Sequence, residues 1–268
     1  IDIPTTQLKT WQAAGRGQNA LLPHHTKLLI QANSSTTTSS SIIDQSGNHT
    51  LTIAGAVHSQ AQTHLGNTAI YFDGTNDIIT FGRNHSDFDF GSEDFSMEAW
   101  VHGDGSWTTD GSGSSDEHII SSVQWGTSEG FALEVNDNDG SGTAGQGYAG
   151  MNVSLGGTNE TIIGASLLSA DSWTHIAGAR VGDAIYLWVD GQLVGRNSCS
   201  GAHAPANDNA TRPVVIGGQQ NHATNETFHR FFSGYMDGIR ICKGQSAYTP
   251  NFVPYGGQKN LAVNRGGA

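Results

Sequence analysis

Three acidic residues stand inside apolar runs of the sequence, where a carboxylate needs either a partner or a chemical function. They are Glu98, Glu134 and Asp237. Two carboxylates about 5–5.5 Å apart would cleave a glycosidic bond with retention. On a single strand, that separation places the second acid two or four residues after the first. None of the three is followed by an acid at those positions. A pair formed between strands stays open, but the sequence favours a protein that is not an enzyme.

Histidine and cysteine give weak signals for catalysis. The adjacent pair His24–His25 would point to opposite faces of an extended segment, which disfavours a shared metal ion. His102 and His175 lie in predicted strands and are expected to be hydrogen-bonded core or interface residues. Cys199 and Cys242 have no basic neighbours that would activate a thiolate. They form either one disulfide or two buried thiols.

Exposed aromatic rings with polar neighbours would serve to bind sugars. Trp107 and Trp125 are the candidates, because they lie in or beside the polar loops 103–117 and 126–129. A tryptophan in a loop also suits a subunit interface, and that alternative stays open. Three further tryptophans are predicted to pack in the core or between sheets: Trp100, Trp173 and Trp188.

The elements that must position these residues are short strands. Glycine contributes 36 of the 268 residues, and no window repeats its apolar residues with helical periodicity. The clearest local signal is the stretch 172–196, where Asp190-Gly191 separates two apolar runs. An Asp-Gly pair of this kind predicts a β-hairpin with a two-residue turn. Within it, Ile185 and Leu187 are expected on one face, with Trp188 on the other.

The net charge of the chain limits the classes of ligand that it is expected to bind. The formal net charge is −12, which argues against a phosphate-backbone ligand such as nucleic acid. No run approaches the ~20 apolar residues of a membrane-spanning helix. The chain opens with Ile1 instead of Met, and we expect a processed or trimmed product whose leader has been removed.

Several phrases occur together and in order along the chain: TKLLIQ, DQSGNHTLTIAG, GNTAIYFDGTNDIITF, DFDFGSEDFSMEAWV, WTHIAGARVGDAIYLWVDGQLVG, PVVIGG and FFSGYMDGIRICKGQSAYTPNFVP. From 26 to 254 the chain resembles the laminin-G-like, concanavalin A-like jelly-roll family found in bacteriophage appendage proteins and secreted bacterial surface proteins. The resemblance implies an all-β fold, an antiparallel jelly-roll sandwich of two curved sheets with six or seven strands each. Residues 1–25 and 255–268 would be N- and C-terminal arms outside this domain.

The same resemblance implies a structural calcium ion. Related jelly rolls often hold Ca²⁺ between an early loop and an Asp at the start of the last long strand, and Asp237 in YMDGIRI matches that Asp. Asn33 and Asp44 are the early-loop partners, although Asn33 stands where relatives often have an acid. The alternative for Asp237 is a hydrogen-bonded strand-end residue.

The function implied is a non-enzymatic decoration or adhesion protein on a virion surface or appendage, with loops that contact glycans. The arms would hold copies of the chain or other assembly proteins, or else pack on their own domain. The second hypothesis is a secreted bacterial carbohydrate-binding module or extracellular filament subunit. A third, a polysaccharide hydrolase, requires an acid pair formed between strands. Nucleic-acid binding and membrane insertion are not expected.

Overall fold

Most of the described secondary structure is β-strand, because apolar and polar residues alternate along these stretches of the chain. The computed structural model describes residues 25–83, 85–105, 107, 116–122, 129–136, 147–203, 212–222, 225–246, 248 and 251–254. The strands are β1 Thr26–Ile30, β2 Thr52–Ala54, β3 Val57–Ser59, β4 Ala69–Asp73, β5 Ile78–Phe81, β6 Phe95–Gly103, β7 Glu117–Ser121, β8 Phe131–Asn136, β9 Tyr148–Leu155, β10 Thr158–Leu167, β11 Thr174–Val181, β12 Ala184–Val189, β13 Gln192–Ser198, β14 Val214–Ile216, β15 Gln219–His222, β16 Asn225–His229 and β17 Ser233–Lys243. A short 3₁₀ helix spans Ser86–Phe88. No helix in the described ranges is long and apolar enough to cross a membrane.

The strands form two large antiparallel sheets and one small one. Sheet A has the order β13-β12-β11-β6-β17-β4-β3, and β1 also pairs with β17. Sheet B has the order β10-β9-β8-β7-β14-β5-β2, while β15 and β16 form a separate hairpin. This confirms the predicted jelly-roll sandwich.

Sheet A has eight strands, one more than the prediction of six or seven. The reason is the length of β17, which at 11 residues reaches past its first neighbour. Its beginning, from Ser233 to Met236, pairs with β4, and its end, from Ile239 to Cys242, pairs with β1. The register shifts between Asp237 and Arg240, which separates the two pairings.

The predicted hairpin is confirmed in detail. Asp190 and Gly191 both have positive φ, 50° and 75°, as the two-residue turn between β12 and β13 requires. Ile185 and Leu187 point into the core between the sheets, and Trp188 points to the opposite face of sheet A. Strand β12 is therefore scaffold, with residues buried on both of its faces, whereas β13 is largely exposed.

Sheet A is covered on its outward face as well as on its inward one. Tyr248 and Phe252, from the segment after β17, pack on Trp188 and on Ala177 of β11. Cys242 lies in the same cluster, and Cys199 lies in the main core. Both cysteines are free and buried, so they are thiols and not a disulfide. The predicted arms lie outside the described residues, except for His25, and stay predictions.

Candidate functional site

Of the two tryptophans predicted to contact a ligand, the structure describes Trp107. Trp107 is 2% exposed and lies in the core, where its Nε1 donates a hydrogen bond to the Leu168 carbonyl at 3.0 Å. A sugar could not stack on this ring without a rearrangement of the core, which corrects the expectation of an exposed loop residue. Trp125 lies outside the described residues.

A different set of rings lies on the outward face of sheet A. Tyr235 of β17 stands in register between Tyr71 of β4 and His102 of β6. Trp173, which precedes β11, continues this row beyond His102. We call these four residues the aromatic patch. Its ring centroids are 5.0 Å apart for the two tyrosines, 6.0 Å for Tyr235 and His102, and 5.6 Å for His102 and Trp173.

The aromatic patch is open to solvent at both ends. Tyr71 and Trp173 are half-buried, while the rings between them are largely covered. Trp173 was expected in the core, and the structure instead places it at the edge of this surface. The C-terminal segment with Tyr248 and Phe252 covers the other part of the sheet, over β11 and β12. Among the described residues of the aromatic patch, solvent reaches this face of sheet A at Tyr71 and Trp173.

Polar groups border the aromatic patch. The Tyr71 hydroxyl donates to Oδ2 of the exposed Asp104 at 3.4 Å. Partial burial, together with the Asp104 charge, raises the pKa of Tyr71. His102 Nδ1 lies 2.6 Å from the Gly103 carbonyl oxygen and donates to it. A carboxylate, a phenol and an imidazole thus stand beside apolar ring surfaces.

Close backbone packing sets the position of Trp173. A Cβ on Gly103 would lie 2.9 Å from the Ala170 Cβ, so only glycine lets the turn before β11 rest against β6. That turn brings the Trp173 indole beside His102. A larger residue at position 103 would push Trp173 away from the rest of the aromatic patch.

Asp237, the predicted calcium ligand, holds backbone in place below the aromatic patch. Its Oδ1 accepts hydrogen bonds from the amides of Ala32 at 2.9 Å and Gly238 at 2.8 Å. Its Oδ2 accepts from the Leu65 amide at 3.0 Å. Leu65 belongs to the loop that carries His64, whose ring packs 5.1 Å from Trp173. The buried carboxylate therefore fixes the loop that supports Trp173 from behind.

The other two predicted calcium ligands lie in different places. Asn33 is exposed, and its Oδ1 is 3.2 Å from where a Cβ on Gly66 would stand, next to Leu65. Asn33 and Asp237 thus both face the Leu65–Gly66 dipeptide. Asp44 accepts five hydrogen bonds, two on Oδ1 and three on Oδ2, and four of them come from the turn 46–49. Its lone pairs are used, which disfavours Asp44 as a calcium ligand, and Asp237 itself already accepts three amide hydrogen bonds. The ion stays a prediction.

Glu98, on the outward face of sheet A, belongs to a buried charge cluster. Its Oε1 lies 2.5 Å from Arg240 Nη2, and its Oε2 lies 2.9 Å from His175 Nε2. Burial by itself would raise the pKa of Glu98, but the Arg240 charge and the His175 hydrogen bond bring it down to about 2. Burial and the Glu98 charge raise the pKa of the nearby Tyr248. The carboxylate is therefore held in its ionised form at neutral pH.

Glu134, on the outward face of sheet B, also pairs with histidine. Its Oε2 lies 3.2 Å from His118 Nε2, and both side chains are buried. The residues in register with Glu134 are His118 and Gly150. Those in register with Glu98 are Ala177 and Arg240. No acid stands directly in register with either glutamate in the described sheets.

Comparison with known proteins agrees with this architecture. The family model described as the concanavalin A-like lectin/glucanases superfamily matches residues 73–246. No curated protein matches the sequence significantly.

Three solved structures share the fold at low sequence identity. The binding domain of Paraclostridial Mosquitocidal Protein 1 has a TM-score of 0.58 at 14% identity, over 84% of this chain and 50% of that one. The botulinum neurotoxin serotype G binding domain gives 0.53 at 13%, over 83% and 49%. Domain 4 of AbnA, an extracellular arabinanase from Geobacillus stearothermophilus in complex with arabinotriose, gives 0.52 at 13%, over 84% and 95%. The chain spans about half of each toxin domain and nearly all of the arabinanase domain.

Proposed function

The chain belongs to the concanavalin A-like lectin/glucanases superfamily, and on that basis we propose that it is a non-enzymatic adhesion or decoration protein that binds glycans through the aromatic patch. The observation that carries the proposal is the row of rings from Tyr71 to Trp173 with Asp104 at its edge. Aromatic rings offer a flat apolar surface to the C–H face of a sugar, and convergent polar groups select its hydroxyls. At the exposed end of the row, Asp104 supplies an acceptor for a sugar hydroxyl.

Two further observations support binding over hydrolysis. The central glutamates are each paired with a cation or a histidine and have no acidic neighbour in register. The fold also accommodates oligosaccharides elsewhere, since the arabinanase domain of the same fold is in complex with arabinotriose. Arabinan oligosaccharides are therefore among the first ligands to test.

We expect Tyr71→Ala and Asp104→Asn each to weaken glycan binding about tenfold, because each removes roughly 1.4 kcal/mol of ring or hydroxyl contact. A glycan array, run with and without a calcium chelator, identifies the ligand, and titration calorimetry measures the affinities. Tyr186→Ala is the matched control, because Tyr186 is a half-buried ring on the same face of sheet A, stacked on Trp188. Its affinity should equal that of the wild type. No signal from any glycan, or equal losses in all three variants, would contradict the proposal.

The calcium ion is proposed as a structural ion at Asn33 and Asp237. It would stiffen the loop of His64 and Leu65 behind Trp173, without contacting the sugar. Loss of glycan binding in the chelator arm, restored by Ca²⁺, is the result expected for that role.

We propose a virion surface or appendage as the place of action, with the arms 1–25 and 255–268 as the assembly contacts. The full chain should then be an oligomer at micromolar concentration, and removal of both arms should yield a monomer. Light scattering after size-exclusion chromatography measures both masses. A full chain that stays monomeric at high concentration would count against assembly and favour the secreted carbohydrate-binding module.

A further inference from the structure

Two histidines and an aspartate meet where the loop before β2 crosses the 3₁₀ helix after β5. His49 lies in the loop, while His85 and Asp87 lie at the start of the helix. Asp87 Oδ2 is 3.4 Å from His49 Nε2 and 3.5 Å from His85 Nδ1. All three residues offer a ligand atom within 4.8 Å of the other two. This cluster lies away from the aromatic patch and has no part in the proposed glycan site.

His49 is buried in a way that a purely structural role does not explain. Its side chain is 4% exposed and packs between the rings of Phe81 and Phe88, at centroid distances of 5.9 and 4.8 Å. Its Nε2 has no hydrogen-bond partner among the described residues, although it faces Asp87. A buried polar atom without a partner is costly, and a bound ion is one of the ways in which proteins satisfy it.

Two of the three spacings between the ligand atoms match a tetrahedral metal site. Metal–ligand bonds of 2.0–2.2 Å in a tetrahedron place neighbouring ligand atoms about 3.3–3.5 Å apart. The two distances to Asp87 Oδ2 have that length and are longer than an ordinary N–H···O hydrogen bond. The His85 Nδ1 also accepts a hydrogen bond from the Asp87 amide at 3.3 Å, and an ion bound through that atom would replace this bond.

Neighbouring residues fix the positions of Asp87 and of the loop that carries His49. The second oxygen of Asp87, Oδ1, lies 3.3 Å from Lys27 Nζ, so the ion pair leaves Oδ2 directed at the histidines. The backbone amide of His49 donates to Asp44 Oδ2 at 3.0 Å, which fixes the loop. Partners that orient a ligand in this way are characteristic of metal sites.

We propose that His49, His85 and Asp87 bind a divalent transition-metal ion of the zinc type, with water completing the coordination. Two imidazoles and one carboxylate suit zinc and not calcium, which prefers oxygen ligands alone. The ion joins the loop before β2 to the helix after β5, and its effect is on the stability of this edge of the sandwich.

The test is calorimetric titration of ZnCl₂ into the chelator-treated, tag-free full chain. We expect saturable binding of one ion per chain, and a melting temperature about 5 °C higher at a hundredfold excess over Kd. Cobalt(II) should give the visible absorption of a tetrahedral complex at the same stoichiometry.

Two variants and a control separate this site from other histidines. His85→Asn keeps an N-cap that can accept the Asp87 amide, and Asp87→Asn keeps the side-chain shape, so both should fold. Each is expected to weaken zinc binding at least tenfold and to abolish the shift in melting temperature. His25→Asn is the control, because His25 lies outside the cluster with its Nδ1 on the Lys243 carbonyl, and it should bind zinc as well as the wild type. Wild-type affinity in both ligand variants, or no saturable binding at all, would overturn the proposal.

Discussion

Replacing Arg240 with methionine is expected to lower the free energy of unfolding by about 3–5 kcal/mol. The Arg240 guanidinium and the Glu98 carboxylate are 4% and 6% exposed and lie against each other on the outward face of sheet A. Methionine would leave the Glu98 charge with hydrogen bonds from His175 and Tyr248 but without a guanidinium beside it. The cost is the desolvation of a carboxylate whose cation has been removed, and not the loss of an attractive contact alone.

A double variant tests that explanation. Glu98→Leu combined with Arg240→Met removes both charges, and we expect it to recover most of the lost stability, because apolar residues often replace a buried ion pair at little cost. Arg196→Met is the control, since Arg196 lies in a cation–π contact 5.5 Å from the Tyr186 ring at the surface. It should cost less than about 1 kcal/mol. Urea denaturation followed by circular dichroism measures all three. A loss in Arg240→Met no larger than in the control would contradict the role of the buried pair.

The fold could be predicted because its signals are local. Asp190-Gly191 specifies a turn that needs two residues of positive φ, and the alternation on either side specifies which residues face the core. The eight-stranded sheet could not be predicted, because the pairing of β1 with the end of β17 depends on how far β17 extends past β4. No single stretch of sequence contains that information.

The candidate site was harder to predict because its residues are far apart in the chain. Tyr71, His102 and Tyr235 come from three strands that become neighbours only through the sheet order. One signal was present: Trp100 and His102 are two positions apart on β6, which places bulky rings on the outward face. Trp107 was misleading, because a tryptophan within a polar loop can still turn inward and use its indole N–H on a core carbonyl.

The solvent exposure of the candidate site also depends on the segment after β17, whose role the sequence does not reveal. Tyr248 and Phe252 follow the last strand in a stretch with no strand pattern of its own. Their packing on Trp188 closes one part of sheet A and buries the cluster of Glu98 and Arg240. This long-range packing decides which half of the outward face of sheet A stays open. It therefore also decides where the candidate site lies.

The second large effect is expected from His203, which should make the protein less stable in acid. Its ring packs against Phe90 and Phe131 at centroid distances of 5.1 and 5.8 Å, and its Nδ1 accepts a hydrogen bond from the Phe90 amide at 3.4 Å. Burial, offset only in part by the charge of Asp89, lowers the pKa of His203 from 6.5 to about 4. The native state therefore needs a neutral ring.

The sign of the effect follows from which state binds the proton. Above pH 6.5 the ring is neutral in both states and does not affect stability. As the pH falls from 6.5 towards 4, the unfolded chain binds a proton that the native chain does not, so stability is lost, by about 3 kcal/mol in full. Glu98, whose pKa is about 2 in the native state, loses its contribution to the free energy of unfolding at lower pH, below about 4.5. The two windows overlap only near pH 4.

His203→Asn isolates the histidine, because the amide oxygen can still accept from the Phe90 amide but the residue does not titrate. Urea unfolding at pH 7 and pH 4.5, with a chelator present, should show a smaller loss of stability in the variant than in the wild type. Some loss should persist, since burial and the neighbouring His85 also lower the pKa of His49. The carboxylates contribute equally to both proteins and cancel in the comparison. An equal loss in wild type and variant would show that His203 is not the group whose protonation destabilises the sandwich.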